Sequence, residues 1–113
     1  MIQDNDNKVL ERTEFVEIGR QIRDKAHKII TNYDAAVKHR REHPTAPDVK
    51  GFNMNQKTMY MPVYLYNTKN EVFSYTYEFP HNSNEYDLQE LVDRIVKDYI
   101  EVDAIRLELY RSR

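Results

Sequence analysis

Two histidines one helical turn apart are the residues of this chain most suited to metal chemistry. His39 and His43 enclose two arginines and Glu42, and on a helix the i and i+4 positions face the same side, as two zinc ligands would. The segment ends directly before Pro44, where a helix must also end, and its arginines disfavour a divalent cation. We therefore predict no metal and no cofactor, and leave open whether the two imidazoles ever bind a metal.

Other arrangements that carry catalysis are missing from the sequence. The chain has no cysteine, which excludes thiol catalysis, cysteine-bound zinc and disulfides. Its two glycines form no phosphate-binding loop, and its few serines lie in no nucleophile-elbow pattern. The acidic residues at the start of the second predicted helix are explained by the helix dipole. We predict that the protein is not an enzyme.

The strongest indication of function is a surplus of tyrosine in one short segment. Residues 58–79 hold five of the nine tyrosines and alternate like two strands joined by a turn at residues 67–71. With Asn70 in the left-handed conformation, the register creates a core face of Met59, Met61, Val63, Leu65, Phe73, Tyr75, Tyr77 and Phe79. Tyrosine buries a large area with little loss of rotamer entropy. We predict that the opposite face binds a partner, with another protein favoured, through Tyr60, Tyr64 and Tyr66.

A basic stretch supports an alternative function. Residues 20–43 carry seven basic and three acidic groups, whereas residues 71–113 carry five basic and ten acidic groups, and the net charge is −2. Basic side chains on a helix could contact phosphates while exposed tyrosines stack on unpaired bases. The alternative is a nucleic-acid-binding module that uses Arg20, Arg23, Lys28, Arg40 and Arg41.

Two amphipathic helices are expected to cover the hairpin. Apolar residues at steps of three and four predict the first helix from Thr13, its N-cap, to His43. A loop at residues 44–57 separates it from the hairpin. The second helix follows the hairpin, with Ser83 or Asn84 as its cap.

The C-terminal segment decides the fold class. Residues 103–111 alternate apolar and polar side chains, which predicts a strand, with a wholly helical segment as the alternative. The order is then α-β-β-α-β, a single two-layer α+β domain with a small antiparallel sheet and both helices on one face. A further strand at residues 8–16 would give the ferredoxin-like order β-α-β-β-α-β. Pro62 cannot donate a ladder hydrogen bond and predicts an edge strand there, and a homodimer through a sheet edge is possible.

Length and composition limit what remains. The 113 residues fit one domain, and we predict a flexible acidic arm at residues 1–12 followed by the domain at 13–113. No apolar run reaches bilayer length and no secretory signal is evident, which predicts a cytoplasmic protein without membrane contact. Few glycines and many Asn, Lys and Ile residues suit an A/T-rich gene of a phage or mobile element. The expected function is that of a small regulatory or inhibitory protein that binds another macromolecule.

Overall fold

The chain folds into two helices and a three-stranded antiparallel sheet in a computed structural model that describes residues 12–44 and 53–109, with side chains from residue 14 onward. The predicted order α-β-β-α-β is confirmed, and the elements form one small α+β domain. The strand order in the sheet is β2-β1-β3. The elements are α1 (Arg12–Glu42), β1 (Thr58–Asn67), β2 (Val72–Pro80), α2 (Glu85–Glu101) and β3 (Ala104–Glu108).

Both alternatives to this order are wrong where the structure describes the chain. α1 begins at Arg12, which excludes a strand at residues 8–16 from Arg12 onward. Thr13 therefore lies inside the helix, and its prediction as the N-cap is wrong. α2 ends at Glu101 and a strand follows, which excludes a wholly helical C-terminal segment. The rest of the predicted arm, and residues 45–52 of the predicted loop, lie outside the described residues.

The hairpin of β1 and β2 has the predicted register along its whole length. Asn70 adopts the predicted left-handed conformation, with φ 65°, and its N–H donates to the Asn67 carbonyl at 3.1 Å. The Asn67 side-chain oxygen accepts the backbone N–H groups of Lys69 and Glu71, each at 3.0 Å. This turn fixes which side chains face the helices, because a slip by one residue would exchange the two faces of the sheet.

Hydrogen bonds at both ends of the hairpin show which backbone groups join the two strands. Asn67 N–H donates to the Glu71 carbonyl (3.2 Å), and His81 N–H donates to the Lys57 carbonyl (2.8 Å). Hydrogen-bonded pairs alternate in an antiparallel ladder, so the odd-numbered residues of β1 bond to β2. The nitrogen of Pro62 therefore points away from β2, and the proline removes no hydrogen bond from the hairpin.

β1 is the central strand of the sheet, but within the described residues it has a strand on one side only at Pro62, as the proline predicted for that position. β3 pairs antiparallel with β1 only from Tyr64 to Asn67, with a register shift at Tyr66/Asn67. Among the described residues, β2 alone lies beside β1 at Pro62. The short third strand thus leaves the proline where a missing donor is tolerated.

Both helices pack on the odd-numbered face of β1 and enclose one apolar core. α1 and α2 approach closely at Gly19, where a Cβ atom would lie 3.4 Å from Val92 Cγ1. The Tyr77 hydroxyl of β2 donates a hydrogen bond to the Asp98 carboxylate of α2. The fully buried side chains of the described core include Ile22, Ala26, Met59, Met61, Val63, Leu65, Phe79, Leu88, Leu91 and Ile95.

A polar cluster fixes the C-terminal half of α1 to the segments just before β1 and just after β2. The Tyr33 hydroxyl donates to the Asn53 carbonyl (2.6 Å) and accepts the Gln56 N–H (2.9 Å). His81 packs edge-on against the Tyr33 ring, with 5.3 Å between centroids, and its Nε2 lies 2.6 Å from Asp34 Oδ1. These contacts join residues far apart in the chain, so no local sequence pattern indicates them.

Asn84 is the cap of α2, one of the two predicted candidates. Its side-chain oxygen accepts the Asp87 N–H at 2.8 Å, and the Asp87 carboxylate accepts the Asn84 N–H at 3.3 Å, which completes a capping box. We expect Asn84→Ala to lower the free energy of unfolding by about 1 kcal/mol, measured by urea denaturation. Asn82→Ala, two residues earlier in the exposed turn, is the control, and equal losses from both variants would argue against the capping box.

Candidate interface on the outer face of the sheet

The sheet face that points away from both helices carries the three tyrosines selected from the sequence. Side chains alternate along β1, so Tyr60, Tyr64 and Tyr66 point away from the buried residues between them. Arg106 and Glu108 of β3 lie directly opposite Tyr66 and Tyr64, and therefore on the same face. We call this surface the outer face; it comprises Tyr60, Pro62, Tyr64, Tyr66, Val72, Ser74, Thr76, Glu78, Arg106 and Glu108.

The outer face is partly apolar and open in the described part of the chain. Tyr60 is 49% exposed and Val72 is 46% exposed, while Tyr64 and Tyr66 are half-buried. Both helices pack on the other side of the sheet. The tyrosine row runs along the central strand, so neighbouring strands flank it on both sides at Tyr64 and Tyr66.

Tyr66 is held in place by two residues of β3. The Arg106 guanidinium lies over its ring, with the central carbon 3.9 Å from the centroid, and this cation–π contact favours one ring orientation. The Tyr66 hydroxyl donates to Glu108 Oε1 at 3.2 Å. A side chain that is already ordered loses less conformational entropy when a partner binds.

The outer face carries little charge. Its ionised groups are Glu78, Arg106 and Glu108, which together give a charge of −1. Arg106 is directed at the Tyr66 ring. This face therefore lacks the excess positive charge that phosphate binding requires.

The basic residues of the alternative prediction lie on α1, on the opposite side of the sheet. Arg20 donates from Nε to Glu17 Oε1 (3.1 Å) and from Nη1 to Asp24 Oδ2 (2.8 Å). The hydrogen bonds from Arg20 and Gln21 lower the pKa of Glu17 to about 2. Arg20 thus binds carboxylates of its own helix, and a phosphate would have to compete with them.

The other four basic residues do not form a single stripe with Arg20. Arg23 donates to the Gln89 side chain of α2 (3.1 Å), and Arg40 donates to the Pro44 carbonyl (2.9 Å). Lys28 and Arg41 are exposed, but at 100° per residue they point in different directions from the helix axis. The structure does not bring these side chains together, nor does it place them beside the tyrosines.

His39 and His43 lie together at the exposed end of α1. Their ring centroids are 4.4 Å apart, as the one-turn spacing predicts. No cluster of three or more histidine, cysteine, aspartate or glutamate side chains that could hold a metal occurs in residues 14–44 and 53–109. The absence of a metal site remains a prediction. Neither described helix combines the length and the apolar character needed to cross a bilayer.

Arg106 and Glu108 belong to the candidate site because β3 pairs with β1, and the sequence alone does not reveal this pairing. Their alternation with Ile105 and Leu107 indicates which side of a strand they share, but the sequence does not say which strand they pair with. The structure supplies that partner, β1, and so completes the surroundings of Tyr66. No protein family, no curated protein and no solved structure matches this chain.

Proposed function

We propose that this chain is a non-catalytic regulatory or inhibitory protein that binds another protein through the outer face. The observation that carries the proposal is the row of Tyr60, Tyr64 and Tyr66 on the central strand, on the side opposite both helices. Tyrosine combines a large apolar ring with a hydroxyl that stays satisfied in water, and it is enriched among the residues that dominate binding energy.

The dimensions of the row suit an interface anchor. Tyr60 and Tyr66 are six residues apart in an extended strand, so their Cα atoms are separated by about 20 Å. Tyr66 is ordered in advance by Arg106 and Glu108, whereas Tyr60 offers the most open ring of the three. We therefore expect Tyr60 to gain the most buried area on binding, and Tyr66 to lose the least entropy.

The charge of the outer face indicates the chemistry of the partner. A nearly neutral aromatic surface with one excess negative charge, contributed by Glu78 and Glu108 against Arg106, complements an apolar patch that has a basic rim. Rim charges affect mainly association rate and specificity, while buried aromatic groups supply most of the affinity. The proposed partner is thus a protein with an exposed apolar patch bordered by lysine or arginine.

Site-specific photocrosslinking in cells of the source organism tests the proposal. Benzoylphenylalanine at position 60 is expected to give a discrete protein adduct, identified by mass spectrometry. The same group at position 86 is the control, because Tyr86 is 70% exposed on α2, on the helical side of the domain. With the identified partner in purified form, Tyr60→Ala is expected to weaken binding about tenfold or more, as for a residue at the centre of an interface, and Tyr86→Ala to leave it unchanged. Equal effects at both positions would overturn the proposal.

The nucleic-acid alternative makes the opposite prediction for a simple titration. A module that neutralises phosphates binds more tightly as salt is lowered, because counterions are released. Since the basic residues and the tyrosines lie on opposite sides of the sheet, we expect no binding to a single-stranded oligonucleotide of about 30 nucleotides, even at about 50 mM salt. Salt-dependent binding that is lost in Arg20→Ala or Arg23→Ala would instead favour the alternative.

A further inference from the structure

The outer edge of β2 presents backbone groups that the described part of the fold does not pair with another strand. Since the odd-numbered residues of β1 bond to their β2 partners, the N–H and C=O groups of Val72, Ser74 and Thr76 point away from β1. Within the described residues, no element pairs with this edge. Further along β2, the Glu78 carbonyl accepts a hydrogen bond from Arg94 (3.3 Å). The open stretch of the edge therefore covers residues 72–77.

The other open stretches of the sheet are protected against pairing. The first half of β1 is open on the side where β3 pairs only from Tyr64 onward. On that side Pro62 has no N–H to donate, and the Thr58 carbonyl already accepts Gln56 Nε2 at 2.6 Å. β3 is only five residues long and has a register shift near its start. Short strands, prolines and bulges are the devices by which proteins block unwanted strand pairing.

Between Val72 and Phe79, β2 carries none of these devices at its outer edge. It is nine residues long and pairs with β1 in an unbroken register. Its residues 72–79, Val-Phe-Ser-Tyr-Thr-Tyr-Glu-Phe, are rich in types that favour strands and contain no lysine, glycine or proline. An edge of this length and composition is suited to strand addition.

We propose that two copies of this chain pair antiparallel through their β2 edges, about a two-fold axis normal to the sheet. The sheet then has six strands, in the order β3-β1-β2-β2-β1-β3, and no unprotected edge of β2 remains. Both outer faces lie on the same side of this sheet, because a two-fold axis normal to it preserves the face. The tyrosine rows of the two copies become parts of one continuous surface.

The β2 edge is complementary to itself. Residues 72–77 are uncharged, so two copies can meet without opposing like charges. In a register centred on Tyr75, Ser74 faces Thr76 of the second copy and Val72 faces Glu78 of the second copy. Each Glu78 carbonyl already accepts Arg94, so the other outward backbone groups of these four positions form about six hydrogen bonds, in the repeating pattern of an antiparallel ladder. Such a self-complementary contact closes as a dimer and does not propagate.

The area buried when two strand edges pair is small, so we expect the dimer to be weak. Contacts well below the size of a standard interface give weak complexes, so we expect a dissociation constant of about 10–100 µM. Analytical ultracentrifugation from about 5 to 500 µM is expected to show the 13.6 kDa chain approaching twice its mass at the upper concentrations. A monomer throughout this range would overturn the proposal.

A proline at the edge provides the matched comparison. Thr76→Pro removes an outward N–H without removing a hydrogen bond to β1, and is expected to weaken dimerisation about tenfold or more. Thr76→Ala is the control, because it removes the same side chain but keeps the outward N–H of residue 76. Unchanged dimerisation in Thr76→Pro, with circular dichroism showing an intact fold, would overturn the proposal.

Cross-linking gives a second measurement that does not depend on the proline variants folding. The chain has no cysteine, so a single introduced thiol is unambiguous. A short bismaleimide is expected to link two copies of Ser74→Cys, because these side chains lie diagonally across the two-fold axis, about 7–8 Å apart. Ile105→Cys on the opposite edge is expected to remain unlinked. A dimer that cross-links through Ile105→Cys and not through Ser74→Cys would place the contact elsewhere and overturn the proposal.

Discussion

Phe79→Ala is expected to destabilise the domain by about 3–5 kcal/mol. Phe79 lies near the end of β2, and its ring points to the side of the sheet that the helices cover. The ring is only 2% exposed and is among the largest fully buried side chains of the core. Removing the ring deletes its burial energy and leaves a cavity that packed neighbours fill only in part. Since small domains have net stabilities of about 5–15 kcal/mol, the variant is expected to be close to unfolding. Urea denaturation followed by circular dichroism measures the loss.

Glu78→Ala is the control for this experiment, because Glu78 precedes Phe79 in the same strand but lies exposed on the outer face. A change of no more than about 0.5 kcal/mol is expected from such a surface site. The pair of variants tests the hairpin register itself, since a slip by one residue would exchange the two positions. Similar losses from both variants, or a larger loss from Glu78→Ala, would contradict the register and, with it, the exposure of the tyrosine row.

The hairpin register could be predicted because its determinants are local. The turn depends on Asn70, which tolerates a positive φ, and on Asn67, whose side chain accepts two backbone N–H groups of the turn. Period-two alternation on both sides of the turn then assigns every side chain to a face. The same local reasoning limited the cap of α2 to Ser83 or Asn84, of which the structure shows Asn84, and predicted the strand character of residues 104–108.

The strand order could not be derived in this way. Pro62 excludes a hydrogen bond on one side of β1, but the sequence does not say on which side, nor how far a neighbouring strand extends. The structure places β3 beside Tyr64 to Asn67 only, so a proline fits within the central strand. Pairing between segments far apart in the chain depends on tertiary packing, which residue types and spacing do not encode.

The candidate site shows the same division between local and long-range information. That Tyr60, Tyr64 and Tyr66 share a face follows from alternation alone. That Arg106 covers Tyr66, and that the basic residues of α1 lie on the other side of the sheet, depends on how the elements pack. The alternative prediction, a nucleic-acid-binding surface, combines the tyrosines with the basic groups, whereas the structure places them on opposite sides of the sheet.

Stability is expected to fall steeply in alkali because of two buried tyrosines. Burial, and then the hydrogen bond to Asp98, raises the pKa of Tyr77; burial, and then the charge of Glu14, raises the pKa of Tyr99. An unfolded tyrosine ionises at about pH 10, whereas these two keep their protons in the folded state. Their contribution to stability is thus complete below about pH 10 and is lost as pH rises further, at no more than about 1.4 kcal/mol per pH unit for each tyrosine. Lys25, whose pKa burial lowers, acts in the opposite direction.

Tyr77→Phe isolates one of the two contributions. At neutral pH the variant is expected to be less stable by about 1.5–3 kcal/mol, because the hydrogen bond to a charged group is lost. Above about pH 10 this difference is expected to shrink by about 1.4 kcal/mol per pH unit, since phenylalanine has no proton to lose in the unfolded state. Urea midpoints between about pH 8 and 11.5 measure both effects, with the exposed Tyr86→Phe as the control. A difference that stays constant across this range would mean that Tyr77 ionises as readily in the folded domain as in the unfolded chain.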